Sequence, residues 1–364
     1  MSRFVRLCEI SSPTGEEGAV VSAVKAELES FGLEVSEDDA AGPAEAGAGN
    51  LLLRIEGEKP GFVLFCAHLD TVPHDGPIEV VLDDGVYRSR GDTILGADNK
   101  AAVAVLMELA SRYSTRKPPV GIEILLTVAE EQGLRGAAAF DVSRLEAKAG
   151  FVLDHASDIG EVITAAPSLH RISAEFTGVE AHSGLDPESG RSAIATTAAA
   201  ISEMKLGRLD EETTANIGLI EGGSSGNIVP GSCRVSGEAR SIDPDRVTDV
   251  IASMSDSMVW AASEHGCEVD IVTEEVFSGY RTPDDSPALI AAEEALRARG
   301  HEPVRVSTGG GSDANVFMAA GFDTLLLANG TYDNHTHEES VPRENLVEML
   351  EICEEILIAV AARC

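Results

Sequence analysis

The sequence predicts an α/β fold, a mainly parallel sheet sandwiched by helices with a smaller α+β domain inserted into it. Three observations lead there. Apolar runs at 62–66, 122–128 and 151–153 have the length and composition of buried strands, and segments of helical periodicity separate them. After Pro167 the strand patterns alternate apolar with polar residues, as in a sheet with one solvated face. From Ser286 the first pattern returns, so an outer domain is interrupted and then completed.

In chain order, residues 12–32 read as a helix with both ends signalled: Ser12 as cap, Pro13, the acidic pair Glu16 and Glu17, and a terminal Gly32. Residues 38–49, rich in Ala, Gly and acid, read as a surface loop. Strands at 51–55 and 62–66 precede a helix at 99–113, a strand at 122–128, a short helix at 134–140 and a strand at 151–153. Such alternation builds a parallel sheet covered by helices. The next segment runs strand 171–176, helix 192–205, strands 216–220 and 234–241, helix 244–265 and strand 268–276. That β-α-β-β-α-β order is ferredoxin-like. It places an inserted domain at 169–278, between the halves 1–168 and 279–364 of a split domain. The second half supplies a helix at 286–299, a strand near Val304, a glycine loop and helix at 309–320, a strand at 324–327 and a helix at 343–362.

Composition narrows the function. The 364 residues are 43% hydrophobic, ample for packed cores, and carry a formal charge of −35. That charge repels phosphate backbones and anionic membrane surfaces, which argues against nucleic acid or a membrane as partner. Cys8, Cys66, Cys233, Cys267, Cys353 and Cys364 form no CxxC pair and read as reduced thiols. Residues 1–10 are too poor in apolar residues for a signal peptide, and no run approaches the roughly 20 residues of a membrane span. A cytoplasmic location is expected.

Ligand-type residues fall at the ends of the predicted strands. His68 and Asp70 follow the run 62–66, Glu130 and Glu131 follow 122–128, and Asp154 ends 151–153, while Asp98 precedes a helix and His335 lies in a late loop. Ligands in an open α/β sheet gather outside the carboxyl ends of its strands. Imidazoles and carboxylates suit a divalent ion such as zinc, and a further carboxylate beside it can serve as general base. His68 and Asp70, two residues apart, share a face, so Asp70 can orient the imidazole. Asp98 is either a helix cap or a carboxylate bridging two ions. Adjacent residues leaving a strand diverge, so Glu131 is assigned as ligand and Glu130 as base. Spacing alone does not choose between His335 and His337.

Two glycine segments suggest other chemistry. Residues 222–226 fit G-x-S-x-G, but a strand pattern follows where a nucleophile elbow needs a helix. The loop 308–313 joins a strand to a helix and can offer backbone N–H groups, those of Gly310 and Gly311 among them, to a substrate carboxylate.

Taken together the motifs resemble those of the zinc-dependent exopeptidase and aminoacylase family that contains peptidase T, carboxypeptidase G and succinyl-diaminopimelate desuccinylase. The likeness runs through 12–17, 67–70, 96–100, 130–131, 181–184 with Pro187, Gly190 and Arg191, 227–230, 237–241 and 309–313. It implies a phosphorylase/hydrolase-like catalytic domain, with the insert as lid and homodimer surface. It implies two divalent ions, zinc with cobalt or manganese as substitutes: Asp98 bridges, His68 and Asp154 complete one site, Glu131 and His335 the other. Glu130 is then the base that acts on metal-bound water, Asp70 the partner of His68, and His182 the stabiliser of the oxyanion. Asn227 and Arg240 match positions that bind the substrate. The spacing from His335 to Glu339 and Val341 matches the family's final motif and favours His335 over His337, whereas His155 stands where the family often has Gly. Residues 98–100 and the His335 motif look most like peptidase T, an aminopeptidase of short peptides. The rivals are an N-acyl amino acid amidohydrolase or carboxypeptidase and, from another class, a noncatalytic metal-binding protein.

Overall fold

The computed structural model describes residues 2–364, and the chain divides into two compact units. One comprises the chain up to Ala165 together with Arg281–Thr308 and Ser312–Cys364; the other comprises Ala166–Tyr280 and Gly309–Gly311.

The first unit is built on a sheet whose strands lie in the order Val35–Glu37, Leu51–Ile55, Val120–Thr127, Lys59–His68, Gly150–His155, Thr324–Ala328, Glu161–Ala166. The middle is parallel: Lys59–His68 pairs in parallel with Val120–Thr127 on one side and Gly150–His155 on the other, and Thr324–Ala328 continues parallel to Gly150–His155. Every residue of Val120–Thr127 is buried, as a strand covered on both faces must be. Glu123 is among them. Its carboxylate is satisfied by Arg54 at 2.6 Å and by the backbone N–H groups of Glu146 and Ala147, so its charge is paired. The helices Ala97–Tyr113, Arg343–Ala361 and Pro287–Ala298 contribute to the core that covers the sheet. This is the α/β class read from the sequence.

Four details differ from the reading in sequence. The first long helix spans Gly18–Ser30 instead of starting at Ser12. Ser12 is fully buried; its hydroxyl donates to Leu69 O at 3.0 Å and accepts from Lys100 Nζ at 2.7 Å, so it serves tertiary packing instead of capping. A helix at Ser2–Cys8 and a hairpin of Val80–Asp83 with Val86–Ser89 carried no clear periodicity. The strand Glu161–Ala166 likewise escaped notice.

The second unit is a five-stranded antiparallel sheet ordered Gly207–Arg208, Thr213–Gly222, Ser232–Ser241, Ser168–Thr177, Glu268–Phe277. Its four long strands place the first and third in the middle, the ferredoxin-like arrangement. Ala193–Glu203 and Pro244–His265 pack their buried faces on this sheet. The longer helix is well specified: Asp243 accepts the N–H groups of Asp245 and Arg246, Pro244 opens the first turn and Gly266 ends it at φ 65°.

Candidate metal centre

Three neighbouring strands deliver most of the site. His68 is the last residue of Lys59–His68, Asp154 lies near the end of Gly150–His155, and Glu130 and Glu131 follow closely after Thr127. His68 pairs with Thr127 in register, so these ends lie at one edge of the sheet. Ala129 takes a left-handed φ of 50° just before the glutamates and turns the chain sharply there. Asp98 comes from the start of Ala97–Tyr113, where Asp98 and Asn99 depart from helical φ and ψ. Gly96, at φ 72°, turns the chain into this stretch, and the two Asp98 oxygens face His68 and His335, so its carboxylate serves the site.

His68 is almost wholly buried, and its Nε2 lies 3.1 Å from Asp98 Oδ1 and 3.3 Å from Asp154 Oδ1. His335 approaches from the other side, with Nε2 3.1 Å from Asp98 Oδ2 and 3.0 Å from Glu131 Oε1. Two sets of three ligand atoms lie within 4.8 Å of one another: His68, Glu130, Asp154 and His68, Asp98, Glu131. His337 pairs instead with Glu338 at 3.6 Å, on the surface.

These residues suit divalent cations. Four carboxylates and two imidazoles converge, all but His335 buried or half-buried, and the buried Glu131 Oε1 has the His335 ring 3.0 Å from it. Carboxylate and imidazole donors are the usual set for zinc.

A sequence profile of the peptidase family M20/M25/M40 matches residues 64–359. The chain belongs to this family. It is 36% identical over 354 residues to the uncharacterized protein YqjE of Bacillus subtilis, covering 97% of this chain and 95% of that one. Among solved structures, aminopeptidase PepT from Bacillus cereus superposes with a TM-score of 0.88 at 36% identity, covering 99% of this chain and 97% of that one. A tripeptidase from Staphylococcus aureus gives a TM-score of 0.93 at 34% identity, covering 100% and 98%. As an M20 member the chain is a metal-dependent hydrolase.

The electrostatics of this M20 centre follow from burial and crowding. Burial pushes the Glu130 carboxyl well above its ordinary value, and the charges of Asp154, Asp313 and Glu131 add to the effect. Asp154 is pushed up to about 8, again chiefly by burial. Asp98 is the exception: burial opposes its ionisation, yet His335 and His68 on its two oxygens hold it far below the usual carboxylate range. His335 is in turn raised to about 10 by Asp98 and Glu131.

Around these residues stand groups that the sequence reading left without a role. Asn99 Nδ2 donates to Asp154 Oδ1 at 2.9 Å. Lys100, buried, donates to Ser12 and to the carbonyls of Leu7 and Ile10, and burial pulls it down to about 8. Asp313 accepts from the Thr127 hydroxyl at 2.5 Å beneath the site. Glu339 accepts the backbone N–H groups of Leu95, Gly96 and Asp98. Asn99 and Lys100 adjoin Asp98 in sequence, which was a usable signal; that Asp313 or Glu339 meets these partners was not legible without the fold.

The remaining candidates belong to the second unit. His182 sits in Ala181–His182, paired with Ile228–Val229, and its Nδ1 accepts the Gly184 N–H at 3.2 Å. That pairing brings His182 beside Asn227, whose carbonyl accepts the Ser183 N–H at 3.0 Å. Arg240 Nε donates to Glu238 at 2.8 Å, and Arg240 also reaches Gly309 O. Gly310 and Gly311 lie in this unit's short return segment, where a Cβ on Gly311 would run into the Phe277 ring. The 222–226 segment leads into the strand Ile228–Val229, the context that excludes a serine elbow.

Proposed function

We propose that this chain is an aminopeptidase of short peptides that works with two divalent ions, zinc first among them. The observation that carries the reading is the placement of Asp98, whose Oδ1 faces His68 and whose Oδ2 faces His335, each at 3.1 Å. A carboxylate so flanked has one oxygen for each of two cations. His68, Asp98 and Asp154 would hold one, and Asp98, Glu131 and His335 the other. Ions there would supply Lewis acidity, polarising an amide carbonyl and lowering the pKa of water.

The chain's own residues supply the rest. Glu130, buried beside His68 and Asp154, is placed to take a proton from the attacking water and return it to the leaving amine. Water adds across the amide, giving a carboxylic acid and an amine. Asp70 orients His68 and the turn bearing Glu130. His182 would stabilise the oxyanion, the kind of electrostatic help that dominates acyl transfer. Asn227, Arg240 and the N–H groups of Gly310 and Gly311 would bind the rest of the substrate.

Peptides are the favoured substrates because the B. cereus relative is an aminopeptidase and the S. aureus relative a tripeptidase, each aligned over nearly its full length. A homodimer through the second unit fits the same family reading. Six free cysteines support a reducing, cytoplasmic setting, and among the described residues no helix is long and apolar enough to cross a membrane. The deciding experiment assays Ala-Ala-Ala and N-acetyl-Ala-Ala-Ala with the zinc-loaded enzyme. Loss of cleavage on acetylation supports an aminopeptidase; retained or improved cleavage transfers the assignment to a deacylase or carboxypeptidase.

A further inference from the structure

We infer that Glu339 is a positioning residue that locks the Asp98 loop to the His335 loop and thereby sets the grip of the centre on both ions. This rests on the dinuclear reading above. Glu339 is 1% exposed. Its Oε2 accepts the N–H groups of Leu95 at 2.7 Å and Gly96 at 2.8 Å, and its Oε1 accepts that of Asp98 at 2.9 Å.

Those donors lie in the segment that leads into the helix Ala97–Tyr113, ahead of its regular turns because Asp98 and Asn99 depart from helical φ and ψ, and such N–H groups have no partner within the helix. Gly96, at the cap position, has no side chain to serve them. The cap is supplied instead by a residue more than 200 positions later. A carboxylate in that place is also favoured by the helix dipole, and its bonds are charge-assisted.

Glu339 is equally fixed on its own side. Four residues earlier His335 holds φ 66°, a left-handed conformation that a residue with a side chain keeps only when its surroundings impose it. The turn is closed by the Thr336 hydroxyl on Asp333 O at 2.7 Å and by the Glu339 N–H on Thr336 O at 3.3 Å. Immediately after it, Ser340–Pro342 pairs with Val86–Ser89. Glu339 thus stands between a strained turn carrying one ligand and a helix start carrying another. Because Asp98 faces both histidines, displacing its backbone disturbs both ion positions together.

The test compares wild type with Glu339→Gln, which keeps the shape but turns an amide NH2 toward backbone donors. Zinc affinity is measured by competition with a chromogenic chelator, beside melting of the metal-free proteins. Wild type should bind two ions per chain; fewer would overturn the dinuclear reading and leave the hydrogen-bond argument untouched. In Glu339→Gln both affinities should fall about 10- to 100-fold, with turnover recovering toward wild type at saturating zinc. Unchanged affinity with a lower melting temperature would reduce Glu339 to a helix cap, and weakening of one ion alone would overturn the shared register. Should the variant not fold, hydrogen exchange on metal-free wild type decides: the amides of Leu95, Gly96 and Asp98 are expected to be protected, and exchange at the rate of an open loop would overturn the inference.

Discussion

One carboxylate oxygen of Asp70 accepts the backbone N–H of Glu130 at 3.0 Å. The other accepts the N–H of Glu131 at 3.2 Å and the hydroxyl of Thr14 at 2.7 Å. His68 Nδ1 lies nearer the Asp70 main-chain oxygen, at 3.0 Å, than its carboxylate, at 3.4 Å. Asp70 is therefore the anchor of the turn that sends Glu130 and Glu131 in different directions, as well as a neighbour of the imidazole.

Asp70→Ala should in consequence do more than loosen one histidine. Zinc affinity is expected to drop about 10- to 100-fold, with a further loss of kcat that saturating zinc does not restore, because the Glu130 turn has lost its acceptor. Full recovery of kcat with added zinc would confine Asp70 to orienting His68.

Glu130→Gln separates base from ligand. Gln keeps the size of the side chain but cannot take a proton, so kcat should fall about 10²- to 10⁴-fold while two ions still bind. Near wild-type turnover with both ions in place would remove Glu130 from the role of base; loss of an ion would make it a ligand, as its proximity to His68 and Asp154 allows.

The metal-free protein should show a pH signature of His335. Asp98 and Glu131 beside it raise its pKa to about 10 from an ordinary 6.5. A raised cationic group contributes stability that is full below the unfolded value and is lost as pH climbs through the folded one, here between about pH 6.5 and 10. Lys100 acts with opposite sign, since burial lowers it to about 8 and its cost to the fold fades above that pH. Melting curves of metal-free wild type and His335→Gln cancel the Lys100 contribution. The wild-type advantage should be largest near about pH 6 and vanish above about pH 10; a constant difference would show that His335 carries no such charge.

Salt should stabilise the fold. With 62 acidic against 27 basic residues the chain repels itself, and raising ionic strength from 0.1 to 1 M shortens the screening length from about 10 to about 3 Å. Tm of the metal-free protein is expected to rise with KCl, and a flat or falling curve would mean that local ion pairs outweigh the net charge.

The strand ends bearing His68, Glu130 with Glu131, and Asp154 were legible because an apolar run followed by a polar ligand is a local pattern, and buried parallel strands require it. The ferredoxin-like order of the second unit was legible for the same reason, since strand and helix periodicities are local. Ser12 was misleading: Ser, Pro and two acids have the composition of a helix start, yet Leu69 and Lys100, distant in sequence, claim the hydroxyl. The helix Ser2–Cys8 and the hairpin at 80–89 are too short for periodicity to register.

By itself the sequence determined the class of fold and put imidazole and carboxylate residues at the ends of its strands, both of which depend on residue identity and short spacing. Only the tertiary structure decided how those residues act on one another. Asp98 and His335 are far apart in the chain and 3.1 Å apart in space, and Glu339 caps a helix to which it has no sequence relation. Hydrogen bonds are short-ranged and directional, so which donor meets which acceptor is settled by where the backbone closes, after the local patterns have done their part.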